Sequence, residues 1–94
     1  MDTGQNELKI TGVVKNDFVK GVIDRTFYDF DKTRWIIDYK INSHEGADLQ
    51  GFLNREQLRY QPQLDKYKQL MQQIDPRPVK LALYFPMMRS WRVC

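Results

Sequence analysis

The sequence predicts an α/β domain on a mixed four-stranded sheet: an antiparallel three-strand meander, a helix, then a fourth strand. Three observations predict it. Residues 8–14, 18–30 and 33–41 are rich in Val, Ile, Phe, Tyr and Trp and are separated by short polar turns. Tyr60, Leu64, Tyr67, Met71 and Ile74 recur at spacings of four and three, which puts them on one helical face. The apolar run VKLALYF at 79–85 follows the break Asp75-Pro76-Arg77-Pro78 and reads as a buried strand.

Taken in order, MDTGQNE at 1–7 is polar and expected to be loose. The first strand alternates over 8–14, and Lys15-Asn16-Asp17 supplies turn chemistry. The second strand, 18–30, meets the third, TRWIIDYKI at 33–41, through the polar residues 29–33. A polar loop with Gly46 follows, and Asp48 is placed to cap a helix over 48–74. Pro62 predicts two helical pieces, the second starting near Gln61, because proline suits a first turn. Pro86 ends the fourth strand, and Phe85-Pro86-Met87-Met88 reads as packing residues at its end. Repeats and low-complexity stretches are absent, so residues 1–94 are expected to form one domain.

Composition narrows the function classes. Hydrophobic residues are 41% and aromatics 13%, enough to bury a core. No apolar run approaches the ~20 residues of a membrane span, and no basic-then-apolar signal opens the chain. The expectation is a soluble cytoplasmic protein. Cys94, the only cysteine, excludes a disulfide frame or a cysteine-rich metal knuckle. The formal charge of +3 favours polyanionic partners only mildly.

The chemistry concentrates in GVIDRTFYDFDKTRWIIDYK. Side chains two apart in a strand point the same way, so Asp38 and Lys40 share a face. A turn centred on Asp31 sets Asp24 directly opposite Asp38, with Cβ atoms about 5 Å apart. Two carboxylates so placed repel. A divalent cation between them removes the penalty, and oxygen ligands suit Mg²⁺ or Mn²⁺. Lys40 has the reach to touch a phosphate, an arrangement suited to phosphodiester hydrolysis. The plainer reading sets both aspartates at strand ends in water, with Lys40 an exposed cation. Geometry alone leaves both open.

GVIDR followed by WIIDYK resembles the GxxD…(D/E)xK signature of the RecB-type branch of PD-(D/E)XK nucleases. Gln63-Leu64-Asp65-Lys66-Tyr67 resembles the QxxxY helix motif of that branch. The likeness is greatest to the C-terminal nuclease segment of exonuclease V beta-subunit-like and AddA-like helicase–nucleases, and it covers most of residues 12–92. The resemblance implies a restriction-endonuclease-like fold and a divalent-metal-dependent (exo)deoxyribonuclease that serves DNA recombination and repair. It makes Asp24 and Asp38 metal ligands, the Tyr39 carbonyl a third ligand, and Lys40 the catalytic lysine. It places Gln63 and Tyr67 against DNA or behind the ligands; alternatively, Tyr67 is core. It implies DNA as partner, and a helicase in the same polypeptide or a separate subunit.

Two departures qualify it. The family fold begins with a helix that donates a further ligand, and too few residues precede the first strand here to dock one. Glu7 is the acidic residue nearest that position beyond Asp2. No G-x-x-x-x-G-K-[ST] phosphate loop occurs, so this chain carries no helicase motor. Both fit a piece of a larger polypeptide or a stand-alone relic of one. The rival function is a catalytically incomplete DNA-binding or helicase-docking module of the same fold. His44, in a polar loop, reads better as solvated than as a ligand, and Trp35 as core. Arg25, Arg34, Arg55, Arg59, Lys66 and Lys68 together make a DNA-facing side plausible.

Overall fold

The computed structural model describes residues 4–44 and 46–94. Five strands and one long helix follow in the order β1 (Gln5–Val14), β2 (Asp17–Tyr28), β3 (Arg34–Tyr39), α1 (Leu49–Ile74), β4 (Val79–Phe85) and β5 (Ser90–Val93). The strands lie side by side in that same order. β1, β2 and β3 form an antiparallel meander, β4 runs parallel to β3, and β5 returns antiparallel to β4. The mixed α/β sheet is the one predicted, with one strand more. β1 also begins at Gln5, within the segment expected to be loose, of which 1–3 lie outside the described residues.

The fifth strand escaped notice because its hinge is not a glycine. Pro86–Met88 form one tight turn, and Arg89 turns the chain with φ 49° before β5 begins. The two pieces expected for α1 are one helix, with Pro62 in its interior. Proline removes the hydrogen bond to the carbonyl four residues back, that of Leu58, whose side chain is exposed and whose turn therefore faces water. Side chains span the gap: Gln57 Nε2 donates to Gln61 Oε1 at 3.2 Å, and Gln61 Nε2 to Asp65 Oδ1 at 2.8 Å. At the start, Asp48 Oδ1 accepts the Gly51 N–H at 2.9 Å, as a capping residue should.

α1 lays Leu53, Leu64, Tyr67, Leu70 and Met71 over one face of the sheet, against Ile23, Ile36, Leu81, Leu83 and Phe85. Leu64, Leu83 and Phe85 are fully buried, so truncating any of them to alanine costs on the order of 2–5 kcal/mol. The other face carries Phe27 stacked on Trp35 and Tyr84 against Trp91. This packing fixes the third strand between β2 and β4, and the candidate site residues Asp38 and Lys40 lie at its C-terminal end.

Candidate active site

The β2–β3 hairpin is built around Asp29. Its Oδ1 accepts the N–H groups of Asp31 and Thr33 at 2.9 and 3.0 Å, and its Oδ2 accepts the Trp35 indole N–H at 2.9 Å. These bonds set the register, with Arg25 opposite Ile37, as a turn centred on Asp31 requires. The ladder stops at that pair. One position further, Asp24 takes over the role of a strand partner: its Oδ2 accepts the Tyr39 N–H at 2.9 Å.

A slip in β2 aims Asp24 there. The buried positions run Val19, Ile23 and then Thr26, so the inward alternation shifts by one at Asp24–Arg25. On β1 the ladder passes from Asn6↔Arg25 to Leu8↔Ile23 and skips Glu7, whose φ is 53°. Paired irregularities of this kind re-aim side chains beside a sheet's working edge.

Asp38 and Asp24 thus come together at the C-terminal end of β3. Burial and the adjacent Asp24 carboxylate push the Asp38 pKa up, to about 6, and Lys40 opposes them. Lys40 Nζ lies 2.8 Å from Asp38 Oδ2, with only 17% and 15% of the two side chains exposed. Lys40 follows β3 directly, and its N–H donates to the Tyr84 carbonyl at 2.8 Å, so the backbone carrying it is held in line. From α1, the Tyr60 ring lies 3.6 Å beneath the Lys40 ammonium. Tyr60 was visible in the sequence only as a member of the apolar helix stripe.

The QxxxY pair sits further along the same helix face. Gln63 Nε2 donates to Tyr67 Oη at 2.9 Å, while the Tyr67 ring is buried in the core. The Tyr67 ring is therefore core, one of its two sequence readings, and its hydroxyl holds Gln63. Gly21 makes this possible. A Cβ there would collide with Tyr67 Oη and lie 2.6 Å from the ring, so the first glycine of GxxD is the seat of the tyrosine of QxxxY.

Other residues fall elsewhere. His44 stacks on Phe52 at 5.0 Å, and its N–H donates to Met88 Sδ, which makes it a packing residue of the α1 entry loop. Glu56 is a residue that the sequence did not single out. It is 7% exposed, one carboxylate oxygen accepts from Asn42 Nδ2 at 3.1 Å, and the other is buried without a partner.

Two comparisons bear on this arrangement. A family model for the PD-(D/E)XK nuclease superfamily matches residues 3–90. The chain is also 31% identical, over 87 residues, to an ATP-dependent helicase/nuclease subunit of Staphylococcus epidermidis. The chain belongs to the PD-(D/E)XK nuclease superfamily. The match to the helicase/nuclease subunit takes in 85% of this chain and 7% of that protein, so the chain spans a small part of its relative's length.

Superfamily membership raises the matter of a divalent cation. The Asp24 and Asp38 carboxylates form a hard oxygen pair in a half-dry setting that disfavours two bare negative charges, which is the donor chemistry such a cation needs. Magnesium is commonly held by one or two carboxylates, with water and phosphate completing its shell, and this pair fits. Among the described residues no group of three His, Cys, Asp or Glu side chains gathers. Tyr39 brings its N–H to Asp24; the family's pattern would use its carbonyl.

Proposed function

We propose that this chain is the catalytic core of a divalent-metal-dependent DNA nuclease that works beside a helicase. The observation that carries it is the Asp24–Asp38–Lys40 cluster, in which two carboxylates and a lysine converge at one strand end. Asp24 and Asp38 would hold the cation, with the Tyr39 carbonyl as the third protein oxygen. Bound there, Mg²⁺ or Mn²⁺ would supply the charge that polarises a phosphodiester and acidifies the attacking water.

The chain's own residues do the rest. The Tyr39 N–H fixes one oxygen of Asp24, so that carboxylate enters the site already oriented. Tyr60 and Asp38 hold the Lys40 ammonium from two sides. From there it can move onto a phosphate oxygen and offset the charge that grows as the bond to the leaving oxygen breaks. Gln63, anchored on Tyr67, offers amide groups to the DNA backbone one helical turn beyond Tyr60.

Cleavage of linear DNA by the purified protein in Mn²⁺ and Mg²⁺, compared with Asp38→Ala and Lys40→Ala, tests this. Metal-dependent cleavage lost in both variants supports it; cleavage persisting in Asp38→Ala removes the assignment. The second reading, a DNA-binding or helicase-docking module, is favoured by the lack of a third acidic or histidine donor among the described residues. It predicts DNA binding that is indifferent to metal and to Lys40, with no cleavage. No helix of the described residues is long and apolar enough to cross a membrane.

A further inference from the structure

Glu56 sits beside the cluster with half of its carboxylate unused. It is 7% exposed; Asn42 Nδ2 donates to its Oε1 at 3.1 Å, and its Oε2 is buried without a hydrogen-bond partner. Among the described residues no lysine, arginine or histidine forms an ion pair with it. A buried carboxylate oxygen left without a donor loses its hydration uncompensated, so such an atom marks a place that a donor occupies in another state. Nor is it a third ligand for the Asp24–Asp38 pair, since no group of three acidic side chains gathers there among the described residues.

The chain after β3 runs along α1 in the opposite direction. The Lys40 ammonium lies over the Tyr60 ring, and two residues on Asn42 reaches Glu56, four residues before Tyr60. Two residues of chain reach at most about 7 Å and four helical residues rise about 6 Å, so the two contacts keep step. Glu56 is thus one helical turn from the ring that holds Lys40, on the same helix face. Lys40 itself is held by Asp38 at 2.8 Å, in a setting that leaves only 17% of its side chain exposed. A divalent cation on the aspartate pair carries the same sign as the ammonium and competes with it for Asp38 Oδ2. The displaced ammonium then needs a second acceptor close by, and the flexible four-carbon stem lets it turn over Tyr60.

We propose that Glu56 is a positioning residue for Lys40: when a divalent cation occupies the aspartate pair, the ammonium turns from Asp38 Oδ2 to Glu56 Oε2. One N–H then holds Glu56, and two remain for a phosphate oxygen. The proposal rests on the nuclease reading and adds to it how lysine and cation share Asp38.

The test is a Mg²⁺ titration of the isotope-labelled full chain without DNA, followed at the Asp38 and Tyr39 amides. Glu56→Gln, Lys40→Ala and the double variant are compared with the parent, and circular dichroism checks that each is folded. Gln keeps the shape and the acceptor for Asn42 and removes only the charge. Glu56→Gln should weaken Mg²⁺ binding about tenfold, the worth of a charged hydrogen bond, and should change nothing in the Lys40→Ala background. A cross-peak between the Lys40 ε- and Glu56 γ-protons should strengthen in the parent at saturating Mg²⁺ relative to EDTA, a readout that needs no variant. Equal weakening in both backgrounds would show that Glu56 acts on the site through its charge or the fold alone, and it overturns the proposal. So does a Glu56→Gln protein that binds Mg²⁺ like the parent, or a cross-peak that Mg²⁺ leaves unchanged; each of these leaves the nuclease reading standing. If the Asp38 and Tyr39 amides of the parent do not respond to Mg²⁺ at all, the metal-dependent nuclease reading falls together with the role of Glu56.

Discussion

At Asp38, burial and the neighbouring Asp24 carboxylate both work against ionisation, and Lys40 at 2.8 Å recovers only part of the loss. The pKa of about 6 in the folded chain stands above the ordinary 3.8, so the fold prefers the protonated acid. That sets the sign for the metal-free protein. Below about pH 4 the group is neutral in both states and its ionisation costs nothing; the penalty grows between pH 4 and 6 and is complete above. Asn mimics the neutral acid. Asp38→Asn in EDTA should therefore melt about 4–8 °C higher than the parent at pH 8, with the gain vanishing near pH 4. Excess Mg²⁺ should raise the parent and leave the variant where it was. Equal melting temperatures at pH 8 would mean that the carboxylate pair is already relaxed by water. The aspartates and the lysine were legible because strand periodicity and one turn residue fix which side chains face each other. Tyr60 beneath Lys40 was not, because which strand end a helix residue reaches depends on the packing of α1, and no local pattern encodes that.

Among the elements, β2 and α1 depend on each other through Gly21 and Tyr67. A methyl group at residue 21 would overlap the phenol, which is buried and hydrogen-bonded to Gln63. Gly21→Ala should cost about 1–3 kcal/mol by urea unfolding. In the Tyr67→Ala background the same change should cost much less, since the overlapping ring is gone, and the two substitutions should be strongly non-additive. Additive costs would show that the strand, and not the tyrosine, needs the glycine. The pair also explains where element boundaries could and could not be read. The period of the α1 face was clear from its apolar residues. Its continuity through Pro62 was hidden, since it relies on Leu58 facing water and on the Gln57–Gln61–Asp65 side-chain run. β5 was hidden by a left-handed arginine, a residue that carries no turn signal.

At the scale of the whole molecule, Asp75 joins parts far apart in the chain. It ends α1 and is 7% exposed; its carboxylate accepts from the Tyr28 hydroxyl of β2 at 2.9 Å and from the Arg77 N–H at 3.0 Å. The Arg34 guanidinium of β3 and that of Arg77 lie 3.7 and 3.6 Å away, and both stack over the Tyr28 ring. The meander is thereby tied to the point where the helix hands over to β4. In the sequence Asp75 reads only as a helix stop before proline, because its partners come from residues about 40 and 50 positions earlier. The Arg77 N–H, then the Tyr28 hydroxyl and the two guanidinium charges, hold its carboxyl below the ordinary carboxylate range. A lowered value gives the opposite sign to that of Asp38. Asp75 contributes stability above the unfolded carboxylate pKa near 3.8, and the contribution is lost as pH falls through the lower folded value. Asp75→Asn keeps the shape and an acceptor but removes the charge, so it should cost about 2 kcal/mol at pH 7. The two proteins should converge as the medium becomes strongly acidic. Because Asp38 gains and Asp75 loses as acid is added, the metal-free parent should be most stable in the window between them, near pH 4–5. Asp38→Asn should flatten the alkaline side of that profile and Asp75→Asn the acid side. A pH series of thermal melts on the three proteins separates the two groups, and a profile unchanged on the acid side in Asp75→Asn would place the acid limit of the fold at another carboxylate.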